Sequence, residues 1–239
     1  MRERILFIGP PGGGKSQQLL NVIRFLEDTP CYVIDLEDKL EAMLSVIGTP
    51  SNMNLSVAID WEELKDATDE IVGKVKPDDW IMVDRMDLSW PGVQRWFTQQ
   101  KYQESLATKM LERATTLKKS SMFIPVFDMG SWQVINEAYD SVMHKILYKS
   151  RCNVILTAGI KGIDENSPMD VYGNIGVLPR GQKEIGHQPH SVFLLTVSKR
   201  GREIQWHIQT AKDIPGRPYF DREPITDFAY QYLANYYGG

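Results

Sequence analysis

The chain has 239 residues, 42% hydrophobic and 24% charged, with a formal net charge of −4. That is ordinary for a soluble globular protein and long enough for one α/β domain with a sizeable core, while no apolar run approaches the ~18 residues of a membrane span. With a pI near 5.6, any nucleic-acid contact must use a local basic surface, because the overall field repels phosphate.

The first predicted element is a buried strand, Ile5-Leu6-Phe7-Ile8, and it starts too early for a leader segment to precede it. Gly9-Pro10-Pro11-Gly12-Gly13-Gly14-Lys15-Ser16 follows. A helix opens from it through Gln17, with Leu19, Leu20, Val22, Ile23 and Leu26 on one side. Cys31 to Asp35 is a second strand, with Glu37 and Asp38 just beyond it. Leu55 to Ile59 reads as an edge strand, and 61–75 as a helix broken by Pro77-Asp78-Asp79. Trp80 to Asp84 is the fourth strand. Residues 93–119 form a long polar helix or a pair, and 131–150 an amphipathic one. Cys152 to Ala158 is the fifth strand, and 159–190 reads as a mobile loop rich in Gly, Pro and Asn. Ser191 to Ser198 and Glu203 to Thr210 form a hairpin around Lys199-Arg200-Gly201-Arg202, and Asp227 to Tyr237 a closing helix. Cys31 and Cys152 read as small buried residues. Four scattered histidines make no ligand cluster.

Strands alternating with helices predict a mostly parallel central sheet flanked by helices, with a C-terminal antiparallel hairpin. One domain is expected over 1–239, with a helical insertion at about 86–130. The stretch Gly9 to Ser16 has the form G-x-x-x-x-G-K-[ST] between a strand and a helix, the context a phosphate-binding loop requires. Its glycines let backbone N–H groups turn inward on a polyphosphate, and the helix N-terminus adds positive potential. Lys15 is then expected on the β- and γ-phosphates and the Ser16 hydroxyl on Mg²⁺. Ligands of such sheets bind at the carboxyl ends of the strands. Lys15, Glu37, Asp84 and Thr157 all fall there. Asp84 is expected to hold Mg²⁺ with Ser16. Glu37 is expected to polarise the attacking water, with Asp38 and Asp87 as competitors.

This order of residues resembles the RecA-like P-loop ATPases, in which a strand ending I-D-x-E carries the catalytic glutamate. Here Ile34-Asp35-Leu36-Glu37 occupies that place, Ile81-Met82-Val83-Asp84 matches the Walker-B strand, and Thr157 ends the next strand. The chain is most similar to the compact bacteriophage-type members, which include single-strand-annealing ATPases. Two departures stand out. Arg85 replaces the small Ser common after the Walker-B Asp, and Gly159 stands where His or Gln often senses the γ-phosphate.

The resemblance implies ATP and Mg²⁺ as cofactors, hydrolysis of ATP, and action on DNA, single-stranded in first place, in recombination, annealing or replication. It also implies a homo-oligomer with ATP at the subunit interface and no membrane, in the cytoplasm of a bacterial host if phage-encoded. Lys212 or Arg217, late in the chain, would then reach a neighbour's γ-phosphate. Lys161, Arg180 and Lys183, in the loop after the fifth strand, would contact DNA, with Tyr172 the one aromatic there able to stack on a base. A DNA translocation or packaging motor, a small-molecule kinase and a non-hydrolysing nucleotide switch are alternatives with the same loop.

Overall fold

Short strands that bury both faces need helices above and below them, and the alternation of side chains decides which helix each residue meets. The computed structural model of the chain describes residues 2–117, 126–163, 172–200, 203–214 and 220–234. In β1 (Arg4–Ile8), Ile5 and Phe7 pack into one core and Leu6 and Ile8 into the other. The first core is covered by α1 (Lys15–Phe25), α2 (Leu40–Ile47) and a C-terminal turn bearing Phe228 and Tyr232. The second is covered by α3 (Trp61–Val72), α4 (Ser89–Tyr102) and α6 (Met129–His144); α5 (Leu106–Leu117) follows α4.

Among the described residues the main sheet has eight strands in the order β10-β9-β8-β1-β5-β4-β2-β3. Here β2 is Cys31–Asp35, β3 Met53–Val57, β4 Trp80–Asp84, β5 Asn153–Ala158, β8 Ser191–Arg200, β9 Glu203–Asp213 and β10 Glu223–Pro224. The strands from β8 to β3 pair in parallel, while β9 and β10 add on as antiparallel neighbours. The mostly parallel sheet and the C-terminal hairpin expected from the sequence are both present. Parallel pairing aligns the carboxyl ends of β1, β2, β4 and β5 on one edge.

Local signals set the helix limits. Asp60 caps α3, accepting from Glu63 N at 2.9 Å while Glu63 reaches back to the Asp60 N–H. Asp128 accepts from Ser131 N at 2.7 Å and starts α6. The region 93–119 divides into α4 and α5, with Gln103 left-handed at the end of α4. Three elements depart from expectation. Helix α2 was not anticipated. The edge strand β3 begins at Met53, two residues before Leu55. The stretch 159–190 is not one mobile loop. Ile160–Gly162 (β6) pairs antiparallel with Val177–Pro179 (β7), and a single helical turn, Lys183–Gly186, follows. Tyr172 is 2% exposed and its hydroxyl donates to Gly186 O at 2.7 Å. It is part of the core and offers no face to a base. Residues 164–171 lie outside the described residues.

Candidate nucleotide-binding site

The turn from β1 into α1 builds the loop from its backbone. Gly9 runs so close to β8 that a Cβ there would stand 2.2 Å from Leu195 O. Gly14, at φ 91°, caps the start of α1 in a conformation that only glycine takes without strain. Lys15 turns inward, donating to Gly9 O at 2.9 Å and Pro10 O at 3.0 Å. It is 8% exposed. Burial, and then the charge of Arg85, pushes its pKa down.

The acids lie beyond β5, on β4 and β2. Asp35 and Asp84 stand opposite one another in the β2–β4 register. The Asp84 carboxylate accepts from Ser16 Oγ at 2.8 Å and from Thr157 Oγ1 at 2.5 Å. Burial pushes the Asp84 pKa up, and these two hydrogen bonds oppose it. Thr157, expected to touch nucleotide, is 0% exposed. It donates to Asp84 and accepts from Arg85 N at 2.8 Å. It supports the Asp84 carboxylate from the neighbouring strand, on the same face of the sheet. Asp35 has a comparable role. Its carboxylate accepts from Glu37 N at 2.9 Å and from Lys39 N and Leu40 N at 2.7 Å each. This clamps the Glu37 loop and caps α2.

Glu37 is engaged by two cations. Arg85 Nη1 lies 2.7 Å and Lys39 Nζ 2.8 Å from Glu37 Oε1. Burial pushes the Glu37 pKa up, but the Lys39 hydrogen bond and the Arg85 charge outweigh it and hold it below the ordinary value. The other side of Arg85 meets Asp87, with Nε to Oδ1 at 3.0 Å and Nη2 to Oδ2 at 3.2 Å. The Asp87 side chain is 0% exposed and wholly committed to this pair. Asp38 is exposed. Of the three competing acids, Glu37 alone combines an ordered loop with a place on the cavity wall.

That cavity has a volume of about 630 Å³, within the range of small-molecule and cofactor sites. Pro11, Gly12, Gly14, Lys15, Ser16 and Gln17 form one side of it, and Glu37, Lys39 and Arg85 another. Trp206, on β9, closes the third side with Ile225 and Thr226, its Nε1 donating to Gly12 O at 3.2 Å. In the sequence Trp206 carries no local motif, and Arg85 reads only as a departure from pattern. Nothing near Trp206 in the chain indicates that the hairpin crosses the loop. Arg85, directly after Asp84, could have been read as a site cation. Two hard oxygen donors, Ser16 Oγ and Asp84, fit a Mg²⁺ ion that takes its remaining ligands from phosphate and water. Among the described residues no cluster of acids, His and Cys forms a cage for a metal ion.

Lys212 lies elsewhere. Lys212 pairs with Val192, beside the amino end of β1, whereas the phosphate loop leaves its carboxyl end. Its Nζ donates to His187 O and Pro189 O, each at 2.7 Å. A Lys212 that served a neighbouring subunit would first have to release both carbonyls. Arg217 lies outside the described residues. Lys161, Arg180 and Lys183 are exposed. They are carried by the β6–β7 ribbon and the turn after it, and the ribbon leaves β5 beside the loop edge.

No protein-family model and no curated protein matches the chain. Solved structures do match. The RadB recombinase superposes with a TM-score of 0.51 at 13% identity, over 91% of this chain and 84% of its own. A KaiC-like protein from the hyperthermophilic archaeon Pyrococcus horikoshii OT3 superposes with a TM-score of 0.51 at 12% identity, over 93% and 84%. At such identities the likeness is one of fold, and the fold is the RecA-like α/β sheet.

Proposed function

We propose that this chain is a Mg²⁺-dependent ATPase that acts on DNA. The observation that carries the reading is the convergence of Lys15, Ser16 and Glu37 on a cavity of about 630 Å³ at one sheet edge, with Asp84 hydrogen-bonded to Ser16 behind them. In this reading Lys15 leaves the Gly9 and Pro10 carbonyls for the β- and γ-phosphate oxygens. Ser16 and Asp84 hold Mg²⁺, which when bound neutralises charge on those oxygens. The Glu37 carboxylate orients a water in line with the γ-phosphorus and accepts its proton.

The DNA role rests on the recombinase fold neighbour and on the exposed Lys161, Arg180 and Lys183 beside the site. Single-stranded DNA in phage-type recombination, annealing or replication is the finer form of the proposal, in a homo-oligomer with ATP between subunits. Among the described residues no helix is long and apolar enough to cross a membrane. The test is phosphate release with and without single-stranded DNA. Turnover that DNA stimulates supports the proposal. Phosphoryl transfer to AMP in place of water, or no turnover at all, refutes it.

A further inference from the structure

Arg85 has a backbone conformation that the neighbouring strand end must enforce. Its φ is +64°, in the left-handed region, and its N–H is tied to the buried Thr157 hydroxyl. Strain of this kind persists where surrounding contacts over-determine it, and it gathers at functional positions. The conformation turns the guanidinium onto the cavity wall shared by Lys15, Ser16 and Glu37. Asp87 grips one side of the group through two hydrogen bonds, leaving Nη1 on Glu37.

A planar guanidinium already held on one side is suited to exchanging one oxyanion for another on its free side. We infer that Arg85 is a catalytic residue acting within its own chain: it binds the γ-phosphate, and in doing so releases Glu37 to the attacking water. The inference rests on the phosphate-loop reading and deepens it. Without a third phosphate, Arg85 and Lys39 both sit on Glu37 Oε1 and make the carboxylate a weaker base. With it, the transferring group carries more negative charge than one carboxylate and takes the guanidinium. Asp87 keeps Arg85 aimed in both states. Asp87 is itself closely approached by Gly159, between β5 and β6, where a Cβ would stand 3.1 Å from its Oδ2.

The probes are ADP and a non-hydrolysable ATP analogue, each with Mg²⁺, titrated into the full chain by calorimetry. Wild type should prefer the triphosphate. Arg85→Ala should lose that preference by about tenfold or more while ADP affinity holds, and turnover should fall roughly 10³-fold. Removing Arg85 strands the buried Asp87 charge, so Arg85→Gln with Asp87→Asn repeats the test in a chain without that charge. Glu37→Gln should tighten the analogue more than ADP, and the gain should vanish when Arg85 is also changed. Mixing Arg85→Ala with Lys15→Ala should restore no activity, because both cations serve one phosphate in one chain. A triphosphate preference that survives in both Arg85 variants overturns the inference, and so does recovery in the mixture. Wild type that binds neither nucleotide overturns it together with the phosphate-loop reading.

Discussion

Replacing Thr157 with Val keeps the shape of the side chain and removes its hydroxyl. Two interactions go with it: the buried 2.5 Å bond donated to Asp84 and the partly buried 2.8 Å bond accepted from Arg85 N. A hydrogen bond to a charged group contributes about 1.5–3 kcal/mol, and an amide left without a partner costs about 1–3 kcal/mol. Asp84 keeps Ser16, and the Arg85 amide is only partly buried, so a total of about 2–4 kcal/mol is expected. For a chain of this size that lowers Tm by roughly 5–15 °C. The Asp84 pKa, already raised by burial, should rise further once its opposing hydrogen bond is lost. A raised carboxyl pKa means that the folded chain binds more protons than the unfolded one. Its contribution to stability is therefore present at low pH and lost as pH rises through the folded pKa. The deficit of Thr157→Val should accordingly narrow in acid. Differential scanning calorimetry at pH 5 and pH 8 measures this, and nucleotide titration at pH 8 completes it, where ADP affinity should change less than about threefold. An unchanged Tm with a tenfold loss of ADP affinity would refute the reasoning, because Thr157 would then be touching nucleotide.

Four further outcomes are expected. Lys15→Ala should lose about 10²-fold or more in turnover and bind ATP weakly; near-normal hydrolysis in phosphate-release assays would remove the basis of the site. Glu37→Gln should bind ATP and Mg²⁺ yet turn over slowly, whereas Asp38→Asn, exposed, should behave as wild type. The depressed Glu37 pKa keeps its carboxylate ionised below the ordinary range, so Lys39→Ala should move the acid limb of kcat/KM to higher pH, and a limb that stays put or falls counts against Glu37 as the base. Lys212→Ala frees the His187 and Pro189 carbonyls and should cost about 1–2 kcal/mol in denaturant unfolding, with turnover unchanged in the isolated chain. If instead turnover at high protein concentration collapses while stability holds, Lys212 serves a neighbour's phosphate.

The phosphate loop, the strand–helix alternation and the two acid-ended strands were legible because each is local. Gly9 to Ser16 is a run of consecutive residues, and the apolar run Ile81 to Val83 ends in Asp84 whatever lies beside it. That Lys15, Glu37, Asp84 and Thr157 share one edge followed from parallel pairing alone. Which way Thr157 points did not follow. Val83 pairs with Leu156, and that register of β4 and β5, joining residues 73 positions apart, sets the hydroxyl beside Asp84. Arg85 looked like a departure from pattern until a left-handed backbone carried it from the strand end onto Glu37 and Asp87. Trp206 gave no sign of its place, because the β8–β9 hairpin had first to lie beside β1 for its indole to reach Gly12. Lys212 shows the converse. Near the end of a strand it resembles a reaching cation, but β9 runs antiparallel to β8, and that reversal sets it at the edge away from the phosphate loop. Local sequence determines which groups a strand or loop presents; the order, direction and register of the strands decide which of those groups meet.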